Sequence, residues 1–290
     1  MKKYAYFPGC SSSEGGAKAY GQSTQAVCKV LGLELIELAD WNCCGSTPYS
    51  TVEELSSFCL SARNLALAEK EGLDIVTPCS SCYVILNRTN AYLKQYPHLK
   101  AQVDEALAAG GLEYHRTVRA RHLLDVLVND IGYDAMAAAV KKNLEGLKVA
   151  PYYGCQLVRP RFGFDHPENP RSMDMLIASL GGEAIDFPMK ARCCGGSLII
   201  SEEDLSLGLI SRILNSAISR GAECLITPCP LCQTNLDAYQ SQVNKRLQAN
   251  FKLPILFFTQ LMGVAFGLSE EELGLRSCIV PAEKALAKYL

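Results

Sequence analysis

The sequence lacks the features of a nucleic-acid-binding or membrane-spanning protein. Its 28 lysine and arginine residues are balanced by 30 aspartate and glutamate residues, so the net charge of −2 gives no basic field that would attract nucleic acid. No apolar run reaches the roughly 18 residues that a membrane-spanning helix needs. No apolar signal-peptide core follows Lys2 and Lys3. We therefore expect a soluble, cytoplasmic protein.

Histidine is scarce in this chain and cysteine is abundant. There are four histidines and 14 cysteines among 290 residues. In an exported protein so many cysteines would suggest disulfides, but in a cytoplasmic protein they indicate metal or redox chemistry. The length, with 49% hydrophobic residues, is enough for about two domains, each with its own core.

Ten of the cysteines form two copies of one motif, in which a single cysteine is followed by an adjacent pair and then by a Cys-x-x-Cys pair. The separation between copies is the same for the last four cysteines and differs by a few residues for the first. A Thr-Pro dipeptide precedes each Cys-x-x-Cys pair. This regularity predicts a duplicated domain, with copies over residues 1–145 and 146–290 related by pseudo-two-fold symmetry. The first set is Cys10, Cys43, Cys44, Cys79 and Cys82, and the second set is Cys155, Cys193, Cys194, Cys229 and Cys232.

Each copy alternates short strand patterns with longer helical patterns. This alternation predicts an α/β fold of two Rossmann-like domains with mainly parallel sheets. Residues 122–128 and 259–266 should add a closing helix to each copy, whereas residues 97–117 give no clear pattern. The predicted strands are 4–7, 34–38, 74–77 and 223–227, and the predicted helices are 17–31, 52–71, 80–95, 174–180, 199–220 and 231–243.

Every cysteine group in the first copy follows a predicted strand. The carboxyl ends of parallel strands lie along one edge of the sheet, so cysteines far apart in sequence can meet there. Cys79 and Cys82 are three residues apart and should share one face at the start of a helix. The positive end of the helix dipole favours thiolates at that position.

The composition of each set favours a metal cluster over a single ion. A structural zinc site is usually tetrahedral with four ligands and needs no fifth cysteine. Adjacent cysteine side chains diverge, which suits a larger cluster in which each thiolate contacts a different iron. Thiolate ligands without a nearby histidine are typical of iron–sulfur sites. A zinc-binding structural protein remains the alternative.

With these motifs the chain resembles the cysteine-rich (CCG) domain family, and most closely the B subunit of heterodisulfide reductase. Both five-cysteine motifs are complete, and the stretch from Arg159-Pro160 to His166-Pro167-Glu168-Asn169-Pro170 is also similar to that protein. Other family members carry a fused ferredoxin domain. The absence of a ferredoxin motif here favours the free-standing B subunit.

The resemblance implies a catalytic iron–sulfur subunit that reduces a disulfide or heterodisulfide to two thiols. Each cysteine set would hold one non-cubane 4Fe-4S cluster, and the substrate would bind between the two clusters. Electrons would arrive from a ferredoxin-like C subunit, itself supplied by a flavin-containing A subunit. The alternative is a non-catalytic electron-transfer subunit of a larger oxidoreductase, similar to lactate or glycolate oxidase.

Several residues near the second set are candidates for substrate contacts. Arg159, Lys190 and Arg192 could hold a carboxylate or phosphate, or could simply face solvent. His166 is either a substrate contact or a loop residue. Gln156 replaces a histidine that follows the same cysteine in methanogen members of the family, which leaves the identity of the disulfide open. The four remaining cysteines are expected to be small buried hydrophobes: Cys28, Cys59, Cys224 and Cys278.

Overall fold

The computed structural model describes residues 2–13, 15–46 and 49–290, which include two four-stranded parallel sheets. The first sheet has the strand order β2-β1-β3-β4 and the second has the order β6-β5-β7-β8. This common order confirms the predicted α/β fold with duplicated parallel sheets. The strands are β1 (Lys2–Tyr6), β2 (Leu33–Glu37), β3 (Ile75–Thr77), β4 (Ala120–His122), β5 (Lys148–Pro151), β6 (Glu183–Ala184), β7 (Cys224–Thr227) and β8 (Ile255–Phe257).

Helices connect the strands and cover both faces of the sheets, as parallel sheets require. In the first copy they are α1 (Gly9–Ser13), α2 (Lys18–Val30), α3 (Tyr49–Val52), α4 (Glu54–Lys70), α5 (Ser80–Gln95), α6 (Pro97–Ala109), α7 (Leu123–Val126, continued by a π turn over Leu127–Ile131) and α8 (Tyr133–Ala138). In the second copy they are α9 (Ser172–Ser179), α10 (Glu203–Ile218), α11 (Pro230–Ala238), α12 (Gln240–Leu247), α13 (Phe258–Ala265), α14 (Glu270–Leu273) and α15 (Glu283–Leu286), with a 3-10 turn over Leu275–Ser277.

Four strands lie outside the predicted ranges: β5 and β6 are the second-copy counterparts of β1 and β2, whereas β4 and β8 were not indicated by the sequence. Strands β4 and β8 have only three residues each and pair with β3 and β7, with Thr77 opposite His122 and Thr227 opposite Phe257. Each runs directly into the closing helix that was predicted after it. The unreadable segment 97–117 contains α6, whose first residue is a proline, a residue favoured at that position.

Two predicted helices differ from those observed. The helix predicted over 199–220 begins only at Glu203, after a turn that follows the second adjacent cysteine pair. The helix predicted over 231–243 is divided at Tyr239 into α11 and α12.

The two copies share one hydrophobic core. Its buried residues include Tyr20, Val27 and Leu123 from the first copy, together with Val149 and Phe258 from the second. Two smaller clusters lie within the individual copies. The copies are therefore packed against each other, and the boundary at residue 145 stays a prediction. None of the helices in the described ranges is both long enough and apolar enough to cross a membrane.

Polar and aromatic contacts reinforce the junction between the copies. The hydroxyls of Ser23 in α2 and Thr259 in α13 lie 2.7 Å apart. The ring of Tyr20 stacks on that of Phe257 with a centroid separation of 4.1 Å. A third contact joins α8 to α9, where the Tyr133 hydroxyl donates to the Ser172 carbonyl at 3.3 Å. These contacts join the two copies at three places.

Candidate metal centre

The cysteines of each set lie at the carboxyl edge of one sheet. In the first copy Cys10 is in α1, just after β1, and the adjacent pair Cys43 and Cys44 follows β2. Cys79 is the N-cap of α5 and Cys82 is in its first turn. The second copy repeats this placement, with Cys229 as the N-cap of α11 and Pro230 as its first residue. The chain fold thus brings together residues that are far apart in sequence.

Sulfur atoms of the first set lie side by side. The thiols of Cys43 and Cys82 are the nearest partners of Cys44 and hold its pKa well below the ordinary value. Cys82 in turn interacts with Cys44 and Cys79, which raise its pKa. Cys10 is close enough for its charge to contribute to the raised pKa of Cys43, although the neighbouring Cys44 thiol has the largest effect.

The second set is arranged in the same way around a small cavity. The Sγ atoms of Cys194 and Cys232 are 3.5 Å apart. Cys155 lies beside Cys193, and Cys229 lies beside Cys232. A cavity of about 40 Å³ is lined by all five cysteines of the set and by Gln156, Ser197 and Leu231, among others.

A glycine before the first cysteine of each set allows the loop to approach the Cys-x-x-Cys pair. Gly9 and Gly154 have φ angles of 71° and 70°, which side-chain-bearing residues rarely adopt. A Cβ atom would lie 2.9 Å from the Cys82 Sγ at Gly9, and 3.3 Å from the Cys232 Sγ at Gly154. The close approach of the first cysteine's loop to the helix therefore depends on these glycines.

Side chains from the flanking helices hold the backbone around the adjacent cysteine pairs. In the first copy Asn64 donates to the Asn42 carbonyl at 2.9 Å, and in the second Asn235 donates to the Cys194 carbonyl at 2.8 Å. Ser57 and Ser206 donate to the carbonyls of Gly45 and Gly195 at 2.8 and 3.1 Å.

These positioning residues were not predicted from the sequence. A comparison of the two copies would have indicated the serines, which occupy matching places at the starts of α4 and α10.

Within each set, one thiolate is stabilised by a neighbouring thiol that keeps its proton. The Cys155 thiol, the Gly195 amide and the positive charge of Arg159 lower the pKa of Cys193 to about 6, against the opposing effect of burial. The same contact with Cys193 raises the pKa of Cys155. Five thiolates at such separations would repel one another strongly unless a cationic group were bound among them.

The donor set fits an iron–sulfur group. In each copy five cysteine sulfurs lie at one edge of the sheet, and a glycine leaves space where the loop of the first cysteine meets the Cys-x-x-Cys pair. The Cys-x-x-Cys pair lies at a helix N-terminus, whose dipole favours thiolates. Within residues 2–13, 15–46 and 49–290, no three histidine, cysteine, aspartate or glutamate side chains are placed to hold a single metal ion.

The two sets border cavities of different size, although each has one exposed, one partly buried and three buried cysteines. Cys10 and Cys43 border an open basin of about 700 Å³ that is also lined by Trp41 and the acidic residues Glu37 and Asp40. The Trp41 ring meets Phe7 edge-on at 5.5 Å, and its Nε1 donates to the Glu37 carboxylate at 3.1 Å. The first set thus faces a broad surface depression, whereas the second lines a narrow cavity.

Of the predicted substrate contacts, three lie at the second set. Gln156 lines the cavity, and its side-chain carbonyl accepts a hydrogen bond from the Ser81 hydroxyl. Arg159 lies beside Cys193 and donates to the Ala191 carbonyl at 3.2 Å. Arg192 is exposed next to Cys193 in the chain.

The other two predicted contacts have local partners. His166 is exposed, and its Nδ1 accepts hydrogen bonds from the Glu168 and Asn169 amides at 3.1 and 3.0 Å. Lys190 is only 5% exposed, and its ammonium lies 3.2 Å from Asp174 and 3.5 Å from Asp186. These bonds give His166 a role in shaping its loop and Lys190 a role in a buried ion pair.

The four spare cysteines are divided by burial. Cys28 and Cys224 are buried as expected, and burial raises the pKa of each to about 12. Cys59 and Cys278 are only partly buried.

Two further polar residues, Ser80 and His122, lie between the two sets. Both bond to the carbonyl of Pro228 and were not predicted as site residues. His122 is fully buried.

Comparisons with known proteins agree with the duplicated site. The family model for the cysteine-rich (CCG) domain matches residues 4–87 and 149–237. The chain is 36% identical to the 8-methylmenaquinol:fumarate reductase membrane anchor subunit of Wolinella succinogenes, covering 98% of this chain and 99% of the relative. It is 30% identical to the B subunit of a ferredoxin/F(420)H(2)-dependent CoB-CoM heterodisulfide reductase of Methanosarcina acetivorans, covering 99% and 97%.

A solved structure supports the fold. The crystal structure of a hypothetical protein from Helicobacter pylori matches 97% of this chain and 52% of its own chain, with a TM-score of 0.78 and 18% identity. At this level of identity the likeness shows the fold alone.

Proposed function

The chain belongs to the cysteine-rich (CCG) domain family, which includes the B subunit of heterodisulfide reductase, and from this premise we propose that it is a two-cluster iron–sulfur subunit that reduces a disulfide to two thiols. One observation carries the proposal. Two complete five-thiol sets lie at equivalent edges of two matching sheets, one with an open basin and one with a lined cavity.

Each set would hold one non-cubane 4Fe-4S cluster through its five cysteines, the first in residues 1–145 and the second in residues 146–290. When bound, the clusters supply one-electron transfers, and two such transfers together match the two electrons that a disulfide needs. The ligands would be Cys10, Cys43, Cys44, Cys79 and Cys82 for the first cluster, and Cys155, Cys193, Cys194, Cys229 and Cys232 for the second.

The chain's own residues would bind and orient the substrate at the second set. The side-chain carbonyl of Gln156 accepts a hydrogen bond from the Ser81 hydroxyl. The NH2 group of the same side chain can then donate to a polar atom of the substrate. Arg159 and Arg192 place positive charge beside Cys193. That charge suits an anionic disulfide and also stabilises the negative charge that develops on sulfur when the disulfide is cleaved.

Electron supply would come from other subunits. The curated relative from Methanosarcina acetivorans is named as the B subunit of its reductase, and by this analogy a ferredoxin-like C subunit and a flavin-containing A subunit would deliver electrons to this chain. We further propose that the protein is cytoplasmic, because a reducing compartment keeps this many thiols from forming disulfides.

A second candidate is a non-catalytic electron-transfer subunit of a larger oxidoreductase. The observation that favours it is the 36% identity, over nearly the full length of both chains, to a protein named as a subunit of 8-methylmenaquinol:fumarate reductase. In that function the same two clusters would pass electrons between partners, and no disulfide would be cleaved.

Spectroscopy with added thiols separates these functions. Anaerobically purified protein should contain about eight irons per chain with matching acid-labile sulfide. Under oxidising conditions, a paramagnetic signal that changes when a thiol is added supports disulfide reduction. The same clusters without a thiol-dependent change support electron transfer alone. A colourless zinc protein without sulfide would contradict both.

A further inference from the structure

The two Thr-Pro-Cys segments, residues 77–79 and 227–229, meet between the two cysteine sets. Side chains from the first copy tie them together. The Ser80 hydroxyl donates to the Pro228 carbonyl at 3.2 Å, and the Nε2 of His122 lies 3.2 Å from the same oxygen. Ser80 is 1% exposed and His122 is 0% exposed. The carbonyl that immediately precedes Cys229 is thus held by two buried groups of the other domain.

The bonding of His122 fixes which ring nitrogen carries the proton. Its Nδ1 accepts from the Leu124 amide at 3.1 Å, so the proton of the neutral ring is on Nε2 and is donated to the Pro228 carbonyl. Burial lowers the pKa of His122 to about 4, so the ring is neutral near pH 7.

Ser80 connects the sets more directly. It follows Cys79 in the chain and is the first residue of α5. A residue beside Cys79 of the first set therefore donates to the carbonyl that precedes Cys229 of the second set.

This link has no counterpart in the other direction. When the two copies of the motif are aligned, Pro230 of the second copy corresponds to Ser80 of the first. In the first sheet Thr77 pairs with His122, and in the second sheet the corresponding Thr227 pairs with Phe257. Phe257 is therefore the counterpart of His122 in the second copy. Proline and phenylalanine have no side-chain donor. Phe257 instead stacks on Tyr20. The duplicated sites are therefore unequal at the point where they meet.

We propose that Ser80 and His122 are positioning residues through which the first domain holds the Cys229 loop and tunes the second site. The redox part of this inference rests on the proposed function, whereas the structural part does not. Outer-shell hydrogen bonds that orient a ligand also tune the group it holds, so fixing the Cys229 loop through the Pro228 carbonyl should influence the midpoint potential of the second site. The first site, whose equivalent donor is absent, does not depend on this bond.

Hydrogen exchange in the metal-free protein tests the structural part. His122→Phe copies the residue that the second domain has at this position, and His122→Gln keeps a donor. We expect His122→Phe and Ser80→Ala to speed amide exchange over residues 229–233 about five-fold, the factor that one typical net hydrogen bond provides. Exchange over residues 79–83 should change less, and His122→Gln should restore most of the protection.

Thr89→Val is the matched control. Thr89 is a fully buried residue of the same helix as Ser80, and its hydroxyl has no hydrogen-bond partner in the part of the chain that the structure describes. Its replacement should leave exchange over residues 229–233 unchanged. Unchanged exchange in both Ser80→Ala and His122→Phe would overturn the proposal. If His122→Phe does not fold, Ser80→Ala decides alone.

A redox titration of the metal-loaded protein tests the tuning. The second site is observed in a Cys44→Ser background and the first in a Cys194→Ser background. Ser80→Ala should shift the midpoint potential of the second site and leave that of the first unchanged. No shift, or an equal shift of both, would overturn the proposal. If the unsubstituted protein holds no iron–sulfur cluster, the proposed function fails, and the exchange experiment still decides whether the link exists.

Discussion

Replacing Gly9 by alanine separates the cost of a backbone conformation from the cost of crowding the first cysteine set. With a φ of 71°, Gly9 is in the left-handed region, which costs a non-glycine residue about 1–2 kcal/mol. The new Cβ would also lie 2.9 Å from the Cys82 Sγ, so that Cys82 or the loop has to move. Overpacking of this kind adds about 1–3 kcal/mol.

Gly32→Ala provides the control for the backbone term. Gly32 has a φ of 68°, and a Cβ added there would meet no atom within 4 Å. We therefore expect Gly32→Ala to lower the free energy of unfolding by about 1–2 kcal/mol and Gly9→Ala by about 2–5 kcal/mol. Only Gly9→Ala should also reduce the iron bound at the first site.

Denaturant unfolding of the metal-free protein and iron analysis of the loaded protein provide the two measurements. Gly154→Ala should fall between the other two variants in stability, because its Cβ would be 3.3 Å from the Cys232 Sγ. Equal stability and equal iron content for Gly9→Ala and Gly32→Ala would refute the packing of this loop against Cys82.

Two other predictions concern thiol reactivity and a buried ion pair. Because the thiolate is the nucleophile and the pKa of Cys193 is lowered to about 6, alkylation of Cys193 in the metal-free protein should be half-maximal near pH 6. Cys59, whose pKa is raised, serves as the comparison thiol. An alkylation midpoint for Cys193 at or above pH 9.0, the ordinary pKa of a cysteine, would refute the environment assigned to Cys193. Lys190→Met should destabilise the protein by about 3–5 kcal/mol in denaturant unfolding, because it removes the cationic partner of the Asp174 carboxylate, whose side chain is only 12% exposed and which then keeps the hydrogen bond from the Tyr153 hydroxyl. Arg246→Met, which breaks an exposed pair, should have little effect, and equal effects of the two substitutions would contradict this account.

The sequence was sufficient to predict the duplication and the convergence of the cysteines. A strand that ends at Thr77 or Thr227 and continues through proline into a helix has a local signature, and both copies show it. The first residue of α11 is Pro230, which marks a helix start by its fixed φ. Such features depend on neighbouring residues and can be read without the fold.

Other features depend on tertiary register and could not be read. Strands β4 and β8 are too short to give a pattern and exist only through pairing with β3 and β7. His122 has its role because it lies opposite Thr77 and reaches the other domain, which no local pattern shows. Lys190 resembled a surface charge beside the second set because its partner Asp174 is on a helix 16 residues earlier.

Iron and sulfide analysis of single-site variants tests the central claim most directly. The anaerobically purified protein is compared with Cys44→Ser and Cys194→Ser variants, each of which removes a buried cysteine, proposed here as a ligand, from one set. Two separate sites predict that each variant keeps about half of the iron and sulfide, about four atoms of each per chain, with complementary spectra. Loss of all iron in both variants, or zinc without sulfide in the unsubstituted protein, would contradict the two-cluster account.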